Sequence, residues 1–409
     1  MFTTHIIVLL QTLFYLIGIC AVSFEKSPVI INTEYKWAGV SGFQALTNRY
    51  LIGKGFKNWY GSTNHGESWE MIFLDNPPNI SYKYGIKAVV ITDGVAHNFG
   101  SIPLCIADKR DYYQSVNSTY VTTFRFNEFV GRFEYMIENR SVSFSGMPYP
   151  GATCGNHRLA YGCPFRILGI GVVKIVEDGN TVLVQSAVVY FDDEKYANPL
   201  SELNDYATTI VSFRSTDGGY HWTYAGVILA AADVPQSEEG PNENDLVVLN
   251  DRKTIMCVTR LDAGDGFLTE RYSPYATIIS SDGGFTWEEP VVLPRSVGCA
   301  RPRLVAFDSG IVMSGGRLSA TNHDVLIWTN ENGDGKDWHQ QSVSYYHNLL
   351  SSNNATIPKF NTLVNDSLVR QSTSYTSLLK VGPNTGVITY SIINNENQVC
   401  TAFSMQFQV

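Results

Sequence analysis

The chain has 409 residues, with 29 Lys and Arg against 38 Asp and Glu, a formal net charge of −9. Charged residues make up only 16% and aromatic residues 12%, beside 34 glycines, which excludes the low-hydrophobicity, high-charge composition of a disordered chain. The acidic balance excludes non-specific nucleic-acid binding, which rests on Lys and Arg neutralising phosphates.

The first element is an N-terminal apolar run. Residues 6–22 carry no charge, and Ala21, Val22 and Ser23 form a small-x-small site ahead of Phe24. This predicts a secretory signal peptide over residues 1–23 and a secreted or cell-surface protein, with an uncleaved signal anchor as the alternative. No later run is apolar and long enough to span a bilayer. Sequons at Asn79, Asn117, Asn139, Asn354 and Asn365 predict a glycosylated surface. Removing Cys20 with the signal leaves Cys105, Cys154, Cys163, Cys257, Cys299 and Cys400, an even set that permits three bridges. Cys257 also reads as a buried strand thiol. There is no CxxC pair and the eight His are scattered, so no metal or other cofactor is expected.

Further along, three segments share the pattern S-x-D/N-x-G-x-x-W: Ser62 to Trp69, Ser215 to Trp222 and Ser280 to Trp287. Each predicts a tight hairpin. The Asn64, Asp217 or Asp282 side chain bonds backbone amides, a glycine supplies positive φ, and the Trp packs beneath. A degenerate copy spans 329–338. From Ser215 to Ser280 is 65 residues, and from Ser62 to Ser215 is 153, a little over two such units. Residues 24–409 number 386, close to six units of about 64. A unit of short strands with one signature hairpin predicts an all-β, six-bladed β-propeller forming a single domain over residues 24–409.

The hairpins match the Asp-box, and the chain resembles the sialidase superfamily of six-bladed propellers, most clearly over residues 160–392. Gly240 to Leu249, followed by Thr254 to Arg260, resembles the family's glutamate strand and the arginine ending the next strand. Arg301 to Leu304 with Val312 to Arg317 resembles the matching pair one blade on. Ser372 to Leu379 resembles the segment carrying the family's nucleophilic tyrosine. The resemblance implies a retaining exo-α-sialidase that releases or transfers terminal sialic acid from sialylated glycoconjugates. In it Tyr375 attacks, Glu243 takes its proton, and Arg260, Arg317 and Arg303 hold the substrate carboxylate. The family's opening Phe-Arg-Ile-Pro motif is absent from residues 39–53; Phe165, Arg166 and Ile167 come nearest to it, with Leu168 in place of the proline. Asp205 or Asp93 is the candidate acid for the leaving oxygen.

The chemistry explains these residue types. Sialic acid carries a carboxylate on its anomeric carbon, which clustered arginines hold by bidentate, charge-assisted bonds. A carboxylate nucleophile would be repelled there, whereas a tyrosine hydroxyl beside a glutamate is not. Two rivals follow from the same residues. One is a catalytically inactive propeller that binds glycans or a protein; the other is a hydrolase for another acidic glycan, since arginines would hold a uronate equally.

Overall fold

The computed structural model describes residues 22–35, 42–55, 58–73, 89–92, 95–98, 119–140, 143–146, 165–166, 171–189, 195, 208–237, 240–262, 274–298, 300–316, 324–360, 372, 375–394 and 399–409. These form a mostly β structure of six sheets. Strand β1 (Val29–Tyr35) leads the chain. The first sheet is β2 (Gln44–Ala45), β3 (Leu51–Lys54), β4 (Trp59–Ser62) and β5 (Glu70–Phe73), hydrogen-bonded in chain order. The second is β6 (Val89–Thr92), β7 (Val95–Asn98), β8 (Thr119–Asn127) and β9 (Arg132–Arg140).

Two short strands, β10 (Ser143–Ser145) and β11 (Phe165–Arg166), join the third sheet, whose main strands are β12 (Val172–Glu177), β13 (Asn180–Val189), β14 (Thr209–Ser215) and β15 (His221–Leu229). The fourth is β16 (Gly240–Val248), β17 (Ile255–Asp262), β18 (Tyr275–Ser280) and β19 (Val291–Val292). The fifth is β20 (Arg303–Phe307), β21 (Gly310–Gly316), β22 (Val325–Asn330) and β23 (His339–Ser342), followed by helix α1 (Val343–Leu350). The sixth contains β24 (Ser377–Lys380), β25 (Thr385–Asn394) and β26 (Val399–Gln408), and β1 pairs with β26 as its outer strand.

The residue pattern accounts for the packing. In β12 the apolar Val173 and Ile175 are buried while Lys174 and Val176 face out, the period-two signature of a strand with one covered face. Strands β21 and β22 are buried along their whole length, so Ile311 to Met313 and Val325 to Trp328 form near-continuous apolar runs. Consecutive sheets pack face to face. One apolar cluster joins Val184 and Ile210 of the third sheet to Leu246 and Ile278 of the fourth. Another joins Met256 and Tyr275 of the fourth to Met313 and Trp328 of the fifth. Others join the fifth to the sixth, the sixth to the first, and the first to the second. The first strand of every sheet contributes side chains to one shared cavity of about 340 Å³, lined among others by Gln44, Ile91, Lys174, Asp245, Arg303 and Lys380.

All three signature segments fold as expected from their residues. Ser62, Ser215 and Ser280 each accept a bond from the amide of Gly66, Gly219 or Gly284, at 2.9, 3.0 and 2.8 Å. Those glycines have φ of 82°, 97° and 95°, a region that costs an L side chain energy. Asp282 Oδ1 accepts from the amides of Phe285 and Thr286, and Asp217 Oδ1 from those of Tyr220 and His221. The degenerate fourth copy builds the same net from different atoms. Asn330 Oδ1 takes the serine's place, accepting from Gly335 N at 3.1 Å, and Trp338 Nε1 donates to Gly335 O.

Three of the four hairpin glycines, Gly66, Gly284 and Gly335, are also tied to a neighbouring sheet. Ser404 Oγ of β26 donates to Gly66 O at 3.1 Å, Ser212 Oγ of β14 to Gly284 O at 2.7 Å, and Thr277 Oγ1 of β18 to Gly335 O at 3.1 Å. In every case the hydroxyl stands on the third strand of the preceding sheet.

The cysteine expectation needs correction. Cys257 is a buried free thiol, and Cys400 is buried as well. They sit in β17 and β26, strands of different sheets. Three bridges among the six cysteines are therefore not formed. Burial holds the Cys257 thiol far above its usual range, with the nearby Asp245 carboxylate adding to the shift. Cys105, Cys154, Cys163 and Cys299 lie outside the described residues, as do Asn79, Asn117 and Asn365 and residues 1–21. Asn354 is exposed, and its Oδ1 accepts from Thr356 N and Thr356 Oγ1. Among the described residues no helix is long and apolar enough to cross a membrane.

Candidate active site

Glu243 owes its position to a break in a ladder. Along β16 and β17 the pairing runs Gly240 with Asp262 and Pro241 with Leu261, then resumes at Asn244 with Thr259. Asn242 and Glu243 together face the single Arg260, one residue more than the partner strand supplies, and such a bulge re-aims the side chain it carries. Asn244 fixes it from both sides: its Nδ2 donates to Asn242 O at 3.0 Å, and its Oδ1 accepts from Ser186 Oγ of the third sheet. At the start of β16, Gly240 has φ of 78°, and a Cβ there would stand 2.4 Å from Thr208 O. No other residue fits.

Arg260 lies opposite, in β17. Its Nη1 donates to Glu243 Oε2 at 3.2 Å, and both side chains are largely buried, at 6% and 16% exposure. Tyr375 stands just ahead of β24, and its Oη donates to the same Glu243 Oε2 at 3.1 Å. One carboxylate oxygen thus sits between a guanidinium and a phenol that are far apart in sequence. The segment is anchored on both sides: Thr376 Oγ1 and Ser314 Oγ are 2.7 Å apart, and Ser377 Oγ accepts from Phe43 N at 3.0 Å.

The electrostatics follow from this burial. Desolvation pushes the Tyr375 hydroxyl well above its ordinary range, the Glu243 charge adds to that, and Arg260 and Arg301 oppose it. Tyr375 is therefore a neutral phenol at rest that needs a base to ionise. Arg301 belongs to the same field. Burial and the charge of Arg303 lower its affinity for the proton, while Glu243, Asp245 and Tyr375 raise it.

Arg303, two residues further on, is engaged by Asp245. Its Nη1 is 3.4 Å from Asp245 Oδ2, which also accepts from Leu304 N at 2.9 Å, and it lines the central cavity. Of the alternating pair, then, Arg301 joins the Tyr375 cluster electrostatically and Arg303 joins the cavity.

Register fixes one more position. Ile255 lies opposite Ser280, and Leu183 lies opposite Ser215, so these residues are equivalent in the fourth and third sheets. Counting five residues on from each puts Val188 at the level of Arg260. Arg166 of β11 pairs with Val188. Its backbone is therefore at the height of Arg260, on the sheet next to it, in line with β12 along β13. Arg317 follows the last residue of β21 and lies outside the described residues, as do Asp205 and Asp93.

Neither a family model nor a curated protein sequence matches the chain. Solved structures do. A protein of unknown function from Dyadobacter fermentans aligns with a TM-score of 0.54 at 10% identity, covering 95% of this chain and all of that one. An α-L-arabinofuranosidase from Fusarium graminearum, in complex with an iminosugar inhibitor, aligns with a TM-score of 0.50 at 15% identity, covering 93% and 97%. The intramolecular trans-sialidase of Ruminococcus gnavus aligns with a TM-score of 0.48 at 11% identity, covering 91% and 94%. The likeness is one of fold: the chain is an all-β protein of propeller-like architecture.

Proposed function

We propose that the chain is a retaining glycoside hydrolase built on a six-bladed propeller with Asp-box hairpins, and that it acts on a terminal sialic acid. The observation that carries this reading is the shared oxygen of Glu243, held between Tyr375 Oη and Arg260 Nη1. A buried phenol hydrogen-bonded to a carboxylate is an activated nucleophile with its base in place. The tyrosine oxygen bonds to the anomeric carbon as the glycosidic C–O bond breaks. Its proton passes to Glu243, and the leaving oxygen takes a proton from an acid, for which Asp205 and Asp93 are the candidates. Water then attacks the anomeric carbon, giving its proton to the carboxylate that had served as the acid, while the bond to Tyr375 breaks and Glu243 returns the proton to the tyrosine oxygen, so that the configuration is retained. Arg260, with Arg301, Arg166 and Arg317 as further candidates, holds the substrate carboxylate. Arg303 is withdrawn from that set because Asp245 and the cavity engage it.

The test is release of a fluorophore by the purified protein from a 2-α-linked N-acetylneuraminide, a β-glucuronide and an α-L-arabinofuranoside. Release from the first alone, lost in Tyr375→Phe while the melting temperature is kept, is expected. Release from the glucuronide would assign another acidic glycan, and release unaffected by Tyr375→Phe would remove the nucleophile. Binding of sialylated glycans without turnover would make the chain a lectin-like module.

A further inference from the structure

The cavity shared by the six sheets has a charge imbalance that the Tyr375 cluster does not use. Among the described residues lining it, Arg303, Lys174 and Lys380 are cationic and Asp245 is the anion. Arg303 is only 6% exposed. Its Nε and Nη1 are buried and donate no hydrogen bond among the described residues; the contact of Nη1 with Asp245 Oδ2, at 3.4 Å, is ionic only. Asp245 is in turn committed to the Leu304 amide. The Gln44 Nε2 on another wall of the same cavity is likewise buried without an acceptor.

Lys380 is partly compensated, since its Nζ donates to Ala306 O at 3.1 Å and lies 3.7 Å from the exposed Asp308. Lys174 is exposed and makes no ion pair among the described residues. Buried N–H donors without acceptors cost free energy and are rare in native proteins. Here two different sheets hold such donors in the walls of one space of about 340 Å³, with two lysines alongside. Uncharged water satisfies donors but leaves the excess positive charge; a bound anion satisfies both.

We infer that the central cavity is a binding site for a small oxyanion, phosphate or carboxylate, gripped by Arg303 and Gln44 with Lys174 and Lys380 supplying charge. The site is separate from the Tyr375, Glu243 and Arg260 cluster, none of which lines the cavity. It stands whether or not the chain hydrolyses glycosides.

The experiment is a thermal-melting titration of the purified protein with inorganic phosphate and, separately, with acetate, each at an ionic strength held constant with chloride. An anion that binds only the folded state raises the melting temperature saturably. A saturable rise is expected with at least one of the two oxyanions, and which one tells the dianion from the carboxylate. Gln44→Met keeps volume and removes a donor, and Lys174→Gln removes an exposed charge; each should raise the apparent Kd roughly tenfold. Both spare the buried Arg303 and Asp245 pair, whose disruption would endanger folding. A melting temperature that responds no more to either oxyanion than to chloride would overturn the site. So would a rise that both variants leave unchanged.

Discussion

Arg260 and Glu243 carry opposite charges into a largely buried place, so each is costly without the other. Removing one member of such a pair costs about 3 kcal/mol or more, because the survivor is left desolvated. Arg260→Ala should lower stability by that amount in a denaturant titration as well as weaken substrate binding, and Arg260→Lys should recover stability more than binding. A stability loss equal in both variants would show that a positive charge alone does not restore the pair with Glu243. Cys257 sits at the other extreme. Buried and with its thiol held neutral, it should resist alkylation in the native protein and react fully after unfolding. Labelling of native Cys257 at the rate of the unfolded chain would contradict its burial.

His347 makes a third residue-scale prediction. It is buried, its Nδ1 is 2.8 Å from Tyr390 Oη and its Nε2 is 2.8 Å from Pro358 O. Burial draws its pKa from the usual value down to about 4, against the Pro358 bond that raises it. In the unfolded chain the ring protonates near pH 6.5, so between there and about pH 4 the unfolded state binds the extra proton. Stability is therefore kept above pH 6.5 and falls as pH drops through this window, by about 3 kcal/mol in all. Subtracting the stability profile of His347→Gln from that of the wild type should expose the slope; parallel profiles would show that His347 contributes none.

At the scale of elements, the hydroxyl that ties three of the four hairpin glycines to the preceding sheet is the recurring device. Ser404 does double duty, since its Oγ accepts from Trp69 Nε1 at 2.8 Å and donates to Gly66 O. Ser404→Ala leaves a buried carbonyl and an indole N–H without that partner, and should cost about 2 kcal/mol. A melting temperature within error of wild type would mean that the two groups find other partners.

The hairpins were legible in the sequence because their bonds close within eight residues, from a side chain to the backbone beside it. Even the degenerate copy could be located, although only the structure shows Asn330 standing in for serine. The site was legible less evenly. Glu243, Arg260 and Tyr375 could be named, yet the bulge that aims Glu243 depends on pairing with β17 and has no local sign. Alternation could not separate Arg301 from Arg303, because β20 begins only at Arg303 and the direction of Arg301 is set ahead of the strand. Arg166 looked misplaced when counted along the chain. Only strand register shows its backbone level with Arg260. The cysteine count suggested bridges because counting carries no distances.

For the whole molecule, the sixth sheet is decisive, since it joins β1 to β26. Val22 and Ser23 extend that seam. Val22 is 1% exposed, and Ser23 exchanges two backbone bonds with Gln408, each at 2.9 Å. Processing after Ser23 would remove a core side chain and a strand pair. If the apolar leader is cleaved, N-terminal sequencing of the mature protein should therefore begin at or before Val22. A mature chain starting at Phe24 with an unchanged melting temperature would show that the pair contributes nothing.

The same seam bears on how the protein is made. A ribosome delivers β26 only after the other five sheets, so β1 waits through all of their synthesis with an unpaired edge. Such an edge is a template for adventitious strands. Every nascent chain stalled short of Val399 would carry this open edge, a feature that distinguishes unfinished molecules from finished ones for any chaperone that grips exposed strands.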